Sequence, residues 1–241
     1  MSLIEKAKEL TAKLSLEEKV TFLTGGDFAG LTPIETINLR KVQLSDGPSG
    51  IRGEFWDERD NSLNLPSGTA LGSSWSPTLA AEYGRTLGSE AHRKGVDVVL
   101  GPTINLHRSP LGGRHFEAYS EDSVLSGKLA SAFVQGIQGQ GVGACLKHFV
   151  ANDAETDRHT VNNILDDETL REVYALPFEI AVRDSNPWTI MSAYNRVNGP
   201  KMAASPLLNS ILKEEWNWDG AVVSDWTGVQ STVDTGNEGN D

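Results

Sequence analysis

The sequence predicts an α/β fold, an irregular (β/α)8 barrel of the TIM type, from three observations. Short apolar runs typical of buried parallel strands alternate with helical patterns along the chain. These strand–helix units recur at intervals of about 30 to 45 residues, which is typical of βαβ units in a parallel sheet. The length of 241 residues is the third observation, because a single α/β barrel commonly fills it.

The first part of the chain predicts helices followed by one strand. Leucines in residues 3–24 are spaced along one helical face, and Ser15 followed by Glu18 predicts a capping box at the start of a second helix. The elements expected next are a strand at 42–46, a loop rich in Gly, Pro, Asn and Ser over 54–76, and a helix over 77–94.

The rest of the chain continues the alternation. Apolar runs predict strands that begin near residues 96, 142, 188 and 220, and helical patterns between them cover 120–138, 166–184 and 206–216. Residues 231–241 are polar and Gly-rich, which favours a flexible end. We therefore expect a barrel domain over residues 1–230 that is incomplete on its C-terminal side.

Composition and charge exclude several classes of partner. The chain has 21 basic and 33 acidic residues and a net charge of −12, which argues against nucleic acid and anionic membranes. The N-terminus lacks the apolar core of a signal peptide, and no run approaches transmembrane length. These features predict a cytoplasmic protein, unless a leader has been removed. Cys145 lies in an apolar run and is expected to be a buried thiol; the histidine spacing suggests no metal, and no cofactor is expected.

Polar side chains follow five of the predicted strands at their C-terminal ends. Because the carboxyl ends of neighbouring parallel strands share one rim, these residues are expected to converge on a site. Asp225, taken alone, is better explained as a helix N-cap, and it is the recurrence at five strands that favours a site. The strand-end residues are Asp46, Asn105, His107, Lys147, His148, Tyr194, Asn195, Ser224 and Asp225.

The residue types at this rim suit a polyhydroxylated ligand. Carboxylates accept hydrogen bonds from pairs of hydroxyls, cations reinforce them, and the aromatic residue Trp226 offers an apolar face for a sugar ring. Lys147 is either a Schiff-base amine or a paired cation that binds hydroxyls, and the second role needs less desolvation. His148 is either a general base or a fixed hydrogen-bond donor. The sequence contains no Gly-rich phosphate-binding motif.

Five motifs make the chain resemble glycoside hydrolase family 3, the β-glucosidase group. They occur in the family's order at residues 45–52 (SDGPSGIR), 112–122, 147–158 (KHFVANDAETDR), 191–195 and 223–226 (VSDW). The resemblance implies a (β/α)8-type barrel and a retaining, exo-acting β-glucosidase that needs no cofactor. It implies that Asp225 is the nucleophile. It also implies that the terminal sugar is held by Asp46, Arg52, Arg114, Lys147, His148, Arg158, Tyr194 and Trp226.

The chain departs from the family pattern at the acid/base. In the glucosidase branch the acid/base glutamate resembles one on a second α/β domain, which is expected to lie beyond this chain as a partner in a longer protein. Glu117, Glu121 and Glu155 are candidates by residue type only. The alternative to a β-glucosidase is therefore a sugar-binding fragment without turnover. An N-acetylglucosaminidase is disfavoured, because Val150 follows Lys-His-Phe where that branch carries Pro-Gly-His-Gly. Cations near Asp225 are expected to keep its pKa low.

Overall fold

The computed structural model describes residues 2–54 and 60–241. The sequence-predicted loop at 54–76 lies partly outside these residues, since 55–59 are not described. The strands are β1 (Gly30–Leu31), β2 (Val42–Asp46), β3 (Val98–Leu100), β4 (Gly143–Phe149), β5 (Asn162–Asn163), β6 (Thr189–Ser192), β7 (Arg196–Val197) and β8 (Ala221–Ser224).

Helices alternate with the strands. The α-helices are α1 (Leu3–Thr11), α2 (Leu16–Phe22), α3 (Gly68–Gly72), α4 (Pro77–Arg93), α5 (Ser123–Gln138), α6 (Asp167–Thr169), α7 (Leu176–Ser185) and α8 (Thr232–Asn237). Two further helical stretches, Leu170–Ala175 and Leu208–Glu215, have π-type hydrogen bonding. Across the ranges 2–54 and 60–241, no helix is both long and apolar enough to cross a membrane.

The main sheet has the strand order β1-β2-β3-β4-β6-β8. Strands β2, β3, β4, β6 and β8 pair in parallel, which confirms the five parallel strands predicted from the apolar runs. Strand β1 pairs antiparallel with β2 at one edge and was not predicted. Its two residues lie in a Gly-rich stretch too short for a recognisable periodicity. The sheet is consistent with part of a barrel wall.

Apolar helix faces cover this sheet and form the core. Helices α4, α5 and α7 pack side by side against it. The ring of Phe149, at the end of β4, is fully buried and meets Phe178 of α7 edge-on, with ring centroids 5.2 Å apart. Such aromatic pairs add about 0.5–1.5 kcal/mol beyond the area that they bury. The core therefore fixes β4 next to the rim on which the predicted site residues lie.

The N-terminal helical region is divided into two helices. Ser15 accepts a hydrogen bond from the Glu18 backbone N–H, and the Glu18 carboxylate accepts one from the Ser15 backbone N–H. This confirms the capping box predicted there. Neither α1 nor α2 contains a buried residue, so their position owes little to core packing.

Residues 231–241, predicted from composition as a flexible end, include helix α8. Ser231 caps this helix through a hydrogen bond from the Asp234 backbone N–H, and Thr235 is buried. The last residue, Asp241, donates its N–H to the Val222 carbonyl oxygen, 3.0 Å away, and accepts from the Val222 N–H through its side chain. Capping and pairing with the edge of β8 give this polar stretch a defined conformation that its composition did not reveal.

Candidate active site

A cavity of about 200 Å³ lies at the C-terminal ends of the parallel strands. Its volume is below that of pockets for drug-sized ligands, which suits one small unit such as a monosaccharide. The residues that line it are Phe28, Ala29, Ser45, Asp46, Gly53, Leu100, Arg114, Lys147, His148, Arg158, Met191, Tyr194, Asp225 and Trp226. The proposed nucleophile and the residues expected from the resemblance to hold the sugar are therefore on the cavity wall, except Arg52, which lies beside Asp46.

Asp225 directly follows β8 and is only 7% exposed. Its Oδ1 accepts a hydrogen bond from the Trp226 backbone N–H at 2.8 Å. Its Oδ2 is 3.5 Å from His148 Nε2 and accepts no hydrogen bond of good geometry from the described residues. One carboxylate oxygen is thus anchored by the backbone, while the other is buried beside His148.

Burial dominates the protonation of Asp225. Removal from water raises the pKa of its carboxyl above the usual value, and this effect exceeds the opposing effects of the Tyr194 hydroxyl, the Trp226 N–H, Lys147 and Arg114. The expectation that the surrounding cations keep this pKa low is therefore wrong in direction. The cations limit the shift but do not reverse it.

Lys147 and His148 are neighbours in β4, yet both line the cavity. Successive side chains of a regular strand point to opposite faces, but the pairing of β4 with β6 shifts between Lys147 and Phe149. The Lys147 ammonium lies 3.4 Å from Asp46 Oδ1 and 4.0 Å from Glu117 Oε2. Lys147 is therefore a buried cation paired with carboxylates, which favours the hydroxyl-binding role over a Schiff-base amine.

His148 is held by Asn105. The Asn105 side-chain amide donates to the His148 carbonyl oxygen, and its Oδ1 accepts the His148 backbone N–H, both at 2.9 Å. The same Oδ1 is 3.2 Å from the ring Nδ1. Burial and nearby cations hold the pKa of His148 well below its usual value, so the ring is neutral. We assign its proton to Nδ1 from this network, so the ring donates to Asn105, and its Nε2, 3.5 Å from Asp225 Oδ2, carries no proton and can only accept a hydrogen bond.

Two glutamates hold the two arginines of the cavity. Glu117 accepts a hydrogen bond from Arg114 Nε at 2.5 Å. Glu155 accepts one from Arg158 at 2.9 Å and lies 3.9 Å from Arg114. The Arg158 guanidinium stacks 4.5 Å above the Tyr194 ring centroid. Glu117 and Glu155 are thus engaged in fixing arginines, in agreement with a structural role for both.

Tyr194 is fixed from its other side by a buried amine. Lys201 donates to the Tyr194 carbonyl oxygen at 3.0 Å and to the His159 carbonyl oxygen. The His159 and Tyr194 rings are in contact, with centroids 4.4 Å apart. Burial raises the pKa of Tyr194 to about 12, so its hydroxyl stays protonated and can donate to a ligand.

The turn after β2 positions Asp46 and Arg52. Gly47 has a φ of +139°, and a Cβ there would collide with the Gly50 carbonyl oxygen. Arg52 Nε lies 3.9 Å from Asp46 Oδ2. This tight turn brings Arg52 back to Asp46, whose side chain is half exposed at the cavity.

Several strand-end residues named from the sequence support the site without lining it. Asn105 lies behind His148; His107 packs on His115; Asn195 donates to the Val150 carbonyl oxygen. The sequence analysis missed four lining residues: Phe28 and Ala29, which lie before the first predicted strand in a Gly-rich turn, and Gly53 and Leu100. Met191 was within a quoted motif, but its position at the cavity follows only from the register of β6. Within the described part of the chain, no group of three or more His, Cys, Asp or Glu residues is placed to hold a metal ion.

Comparison with known proteins decides the family. The family model "Glycosyl hydrolase family 3 N terminal domain" matches residues 49–240. The chain belongs to glycoside hydrolase family 3. A β-glucosidase of Rhizobium radiobacter is 44% identical over 97% of the chain. Among solved structures, β-glucosidase 3B from Thermotoga neapolitana, in complex with glucose, superposes over 98% of the chain with a TM-score of 0.94 and 42% identity.

A second solved relative leads to the same family, and the lengths of the relatives show how much of each one the chain covers. The β-glucosidase from Kluyveromyces marxianus, in complex with glucose, matches 97% of the chain with a TM-score of 0.94 and 40% identity. The family 3 chain spans 29% of the Rhizobium protein and 36% and 28% of the two solved chains. These matches confirm the α/β barrel-type fold predicted from the sequence.

Proposed function

We propose that this chain is the nucleophile-bearing domain of a retaining, exo-acting β-glucosidase that releases terminal β-D-glucose. The observation that carries the proposal is the buried Asp225 carboxylate in a cavity walled by cations, hydroxyl-binding groups and an aromatic ring. Family membership supports it, since the relatives named above are β-glucosidases and two of them are described in complex with glucose.

Asp225 acts as the nucleophile. In a retaining glycosidase a carboxylate oxygen forms a bond to the anomeric carbon while the bond from that carbon to the aglycone oxygen breaks. The departing oxygen takes a proton from a general acid, and water later hydrolyses the glycosyl ester. The Trp226 N–H anchors Oδ1 and so holds the Asp225 carboxylate in one orientation at the cavity wall. Lys147 and Arg114 favour the ionised carboxylate that the attack requires.

The remaining polar groups orient the sugar. Asp46 accepts hydrogen bonds from sugar hydroxyls, and Lys147 and Arg158 donate hydrogen bonds to them. The neutral ring of His148 is held in one orientation at the cavity wall by Asn105. Trp226 covers the apolar face of the ring beside the nucleophile. A cavity of about 200 Å³ holds one sugar unit, which accounts for exo action on a terminal residue.

The acid/base is proposed to come from the second α/β domain of a longer protein. Glu117 and Glu155, the two buried or half-buried glutamates beside the cavity, are engaged with Arg114 and Arg158. Glu121 is exposed and outside the cavity lining. This arrangement also favours a second candidate function, a domain that binds a terminal sugar without turning it over.

Covalent trapping tests the nucleophile. We expect incubation with 2,4-dinitrophenyl 2-deoxy-2-fluoro-β-D-glucoside to give a stable adduct on Asp225, because this leaving group needs no general acid and the fluorine slows hydrolysis of the ester. Intact mass spectrometry and peptide mapping measure the adduct. Asp225→Asn should show none, since the amide cannot attack.

Asp219→Asn is the matched control, because Asp219 is exposed near the opposite end of β8. It should label like the unchanged chain. An adduct on any other carboxylate would contradict the assignment of Asp225. A folded chain that binds glucose but forms no adduct would favour the non-catalytic sugar-binding domain.

A further inference from the structure

Lys94 carries a buried ammonium group that the proposed mechanism does not use. It directly follows α4, and only 1% of its side chain is exposed. Its Nζ donates to the Asp60 carbonyl oxygen at 2.8 Å and to the Arg52 carbonyl oxygen at 3.4 Å, and it lies 3.2 Å from Asp60 Oδ2. All three of these contacts are with residues 47–67, here called the β2–α3 loop.

The position of Lys94 in the sequence explains a lysine there but not its burial. Lys94 is the C-cap of α4, and the positive φ of +69° at Gly95 turns the chain toward β3. A cation is favoured at a helix C-terminus because it interacts with the last carbonyl groups, and an exposed side chain can do this. Burying an ammonium group is costly unless it is paired and hydrogen-bonded. The contacts with the β2–α3 loop compensate for this cost.

The near part of the β2–α3 loop carries two residues of the site. The Arg52 backbone N–H donates to the Asp46 carbonyl oxygen at 3.3 Å, and Arg52 Nε lies 3.9 Å from Asp46 Oδ2. Gly53 lines the cavity, and its N–H donates to Ser45 Oγ at 2.9 Å. A Cβ at Gly53 would lie 3.3 Å from Lys94 Cδ. The stem of Lys94 therefore lies next to the residue that forms this part of the cavity wall.

The far part of the loop is also attached to the end of α4. Arg93 donates to the Asn61 carbonyl oxygen at 3.1 Å and lies 3.7 Å from Asp60 Oδ1. Lys94 contacts both parts of the loop, since its ammonium group joins Asp60 to Arg52. The position of α4 is thereby transmitted to the part of the loop that lies at the cavity.

We propose that Lys94 is a positioning residue for sugar binding, which fixes Arg52 beside Asp46 and does not touch the sugar itself. This inference rests on the proposed function, because Arg52 is assigned to the sugar by the family resemblance. Lys94 is not among the cavity-lining residues, so its loss acts through the β2–α3 loop. Without the ammonium group, the loop can move the Arg52 guanidinium group away from Asp46. A binding group that is not held in its productive geometry contributes less to affinity.

Calorimetric titration of the full chain with methyl 1-thio-β-D-glucoside tests this role without requiring turnover. Lys94→Met keeps an unbranched apolar stem and removes the ammonium group, and we expect the affinity to fall about tenfold. Lys128→Met is the matched control, because Lys128 is exposed and forms an ion pair with Asp184 on the surface. It should change the affinity by less than about twofold.

A double-mutant cycle with Arg52→Met separates positioning from general stabilisation. Arg52→Met alone should lower the affinity about tenfold, since the guanidinium group is proposed to hold the sugar. If Lys94 acts through Arg52, Lys94→Met should cost less than about twofold more in the Arg52→Met background. Additive losses, about a hundredfold in the double variant, would overturn the positioning role. An unchanged affinity in Arg52→Met would overturn it too, because Arg52 would then not hold the sugar.

A milder variant keeps the test decisive if Lys94→Met does not fold. Asp60→Asn removes the negative charge of a half-exposed partner and leaves both backbone carbonyl oxygens in place. We expect a smaller loss of affinity, about threefold, that also disappears in the Arg52→Met background. A lower melting temperature of Lys94→Met with no change in the affinity of the folded protein would show a purely structural role and overturn the proposal.

Failure of this inference is distinguishable from failure of the proposed function. Trapping of Asp225 together with an unchanged affinity in Lys94→Met would overturn the positioning role and leave the nucleophile in place. No trapping of Asp225, together with coupling between Lys94 and Arg52, would overturn the glucosidase and support the positioning role in a sugar-binding domain.

Discussion

The cavity has two walls that differ in origin and character. One wall, the strand wall, comes from the ends of the parallel strands and carries Lys147, His148, Tyr194 and Asp225, all of them buried. The other, the loop wall, comes from the turn before the antiparallel edge strand β1 and carries the exposed Phe28. The strand wall is polar and its groups are held by hydrogen bonds, whereas the loop wall is apolar and open to water.

The two walls differ in burial, and they therefore differ in their effect on the protonation of the site. Burial changes the pKa of Asp225 and of His148, and chemistry at an anomeric carbon requires such controlled protonation states. An exposed ring has no such influence on protonation. Changes in the strand wall should therefore alter the labelling of Asp225 and its pH dependence, whereas changes in the loop wall should leave that pH dependence unchanged.

The largest effect is expected from Lys147→Met, which removes the buried cation of the strand wall. Lys147 favours the ionised carboxylate of Asp225 and lies at the cavity wall, so we expect the rate of Asp225 labelling to fall by about a hundredfold. Lys147 lowers the pKa of Asp225, so its removal should raise that pKa further. Because the proposed nucleophile reacts as the carboxylate, the acidic limb of the labelling–pH profile should move to higher pH.

Lys128→Met is the control for this change. Lys128 forms a 2.6 Å ion pair with Asp184 on the surface, and such exposed pairs contribute about 0–1 kcal/mol. Labelling and its pH profile should therefore be unaffected. If Lys147→Met lowered the rate without moving the acidic limb, the charge of Lys147 would act on the sugar and not on Asp225.

The strand wall was largely predictable from the sequence, and the loop wall was not. An apolar run that ends in a charged residue marks both the strand and the rim, so Asp46, Lys147 and Asp225 could be named from their positions alone. Phe28 lies in a Gly-rich turn that has no periodicity, and only the antiparallel pairing of β1 brings it to the cavity. Phe28 and Trp226 lie near opposite ends of the sequence. The hydrogen bond from the Trp226 indole N–H to the Phe28 carbonyl oxygen joins them in the fold.

The direction of the Asp225 pKa was also beyond the sequence. Counting nearby cations gives the sign of the charge interactions, but the competing cost of burial depends on how completely the chain closes around the carboxyl. The register shift in β4 could not be predicted from the sequence either. Alternation along a strand predicts that only one of Lys147 and His148 faces the site, whereas the shifted pairing allows both to do so.

A smaller effect is expected from Lys201→Met, which tests how the strand wall is positioned. Lys201 is buried and donates to the carbonyl oxygens of Tyr194 and His159, so its loss should allow Tyr194 and the neighbouring Arg158 to shift. Hydrogen bonds from a charged group contribute about 1.5–3 kcal/mol, and we expect the affinity for methyl 1-thio-β-D-glucoside to fall about tenfold. Lys201→Arg should restore part of it.

A purely structural role for Lys201 would give a different pattern. The melting temperature of Lys201→Met would then fall while the affinity of the remaining folded protein stayed unchanged.

The smallest effect is expected on the free energy of unfolding, which the burial of the Asp225 carboxylate lowers at neutral pH. The unfolded chain has an ordinary aspartate pKa near 3.9, whereas burial raises the folded value. At pH values below both, the carboxyl is protonated in either state and costs nothing. As the pH rises from the unfolded pKa to the higher folded pKa, the unfolded chain loses its proton first. The folded state therefore loses stability until the native carboxyl has also ionised. Asp225→Asn should therefore be more stable than the unchanged chain at neutral pH, by about 1 kcal/mol or 2–4 °C in melting temperature.

Calorimetric melting at several pH values checks this prediction, with Asp219→Asn as the exposed control that should change little. The gain should disappear as the pH falls below the unfolded pKa, because both proteins are then uncharged at residue 225. A loss of stability in Asp225→Asn at neutral pH would mean that Lys147 and Arg114 outweigh burial. The carboxylate would in that case be a favourable counter-ion of the strand wall, and the low pKa first expected from the sequence would apply after all.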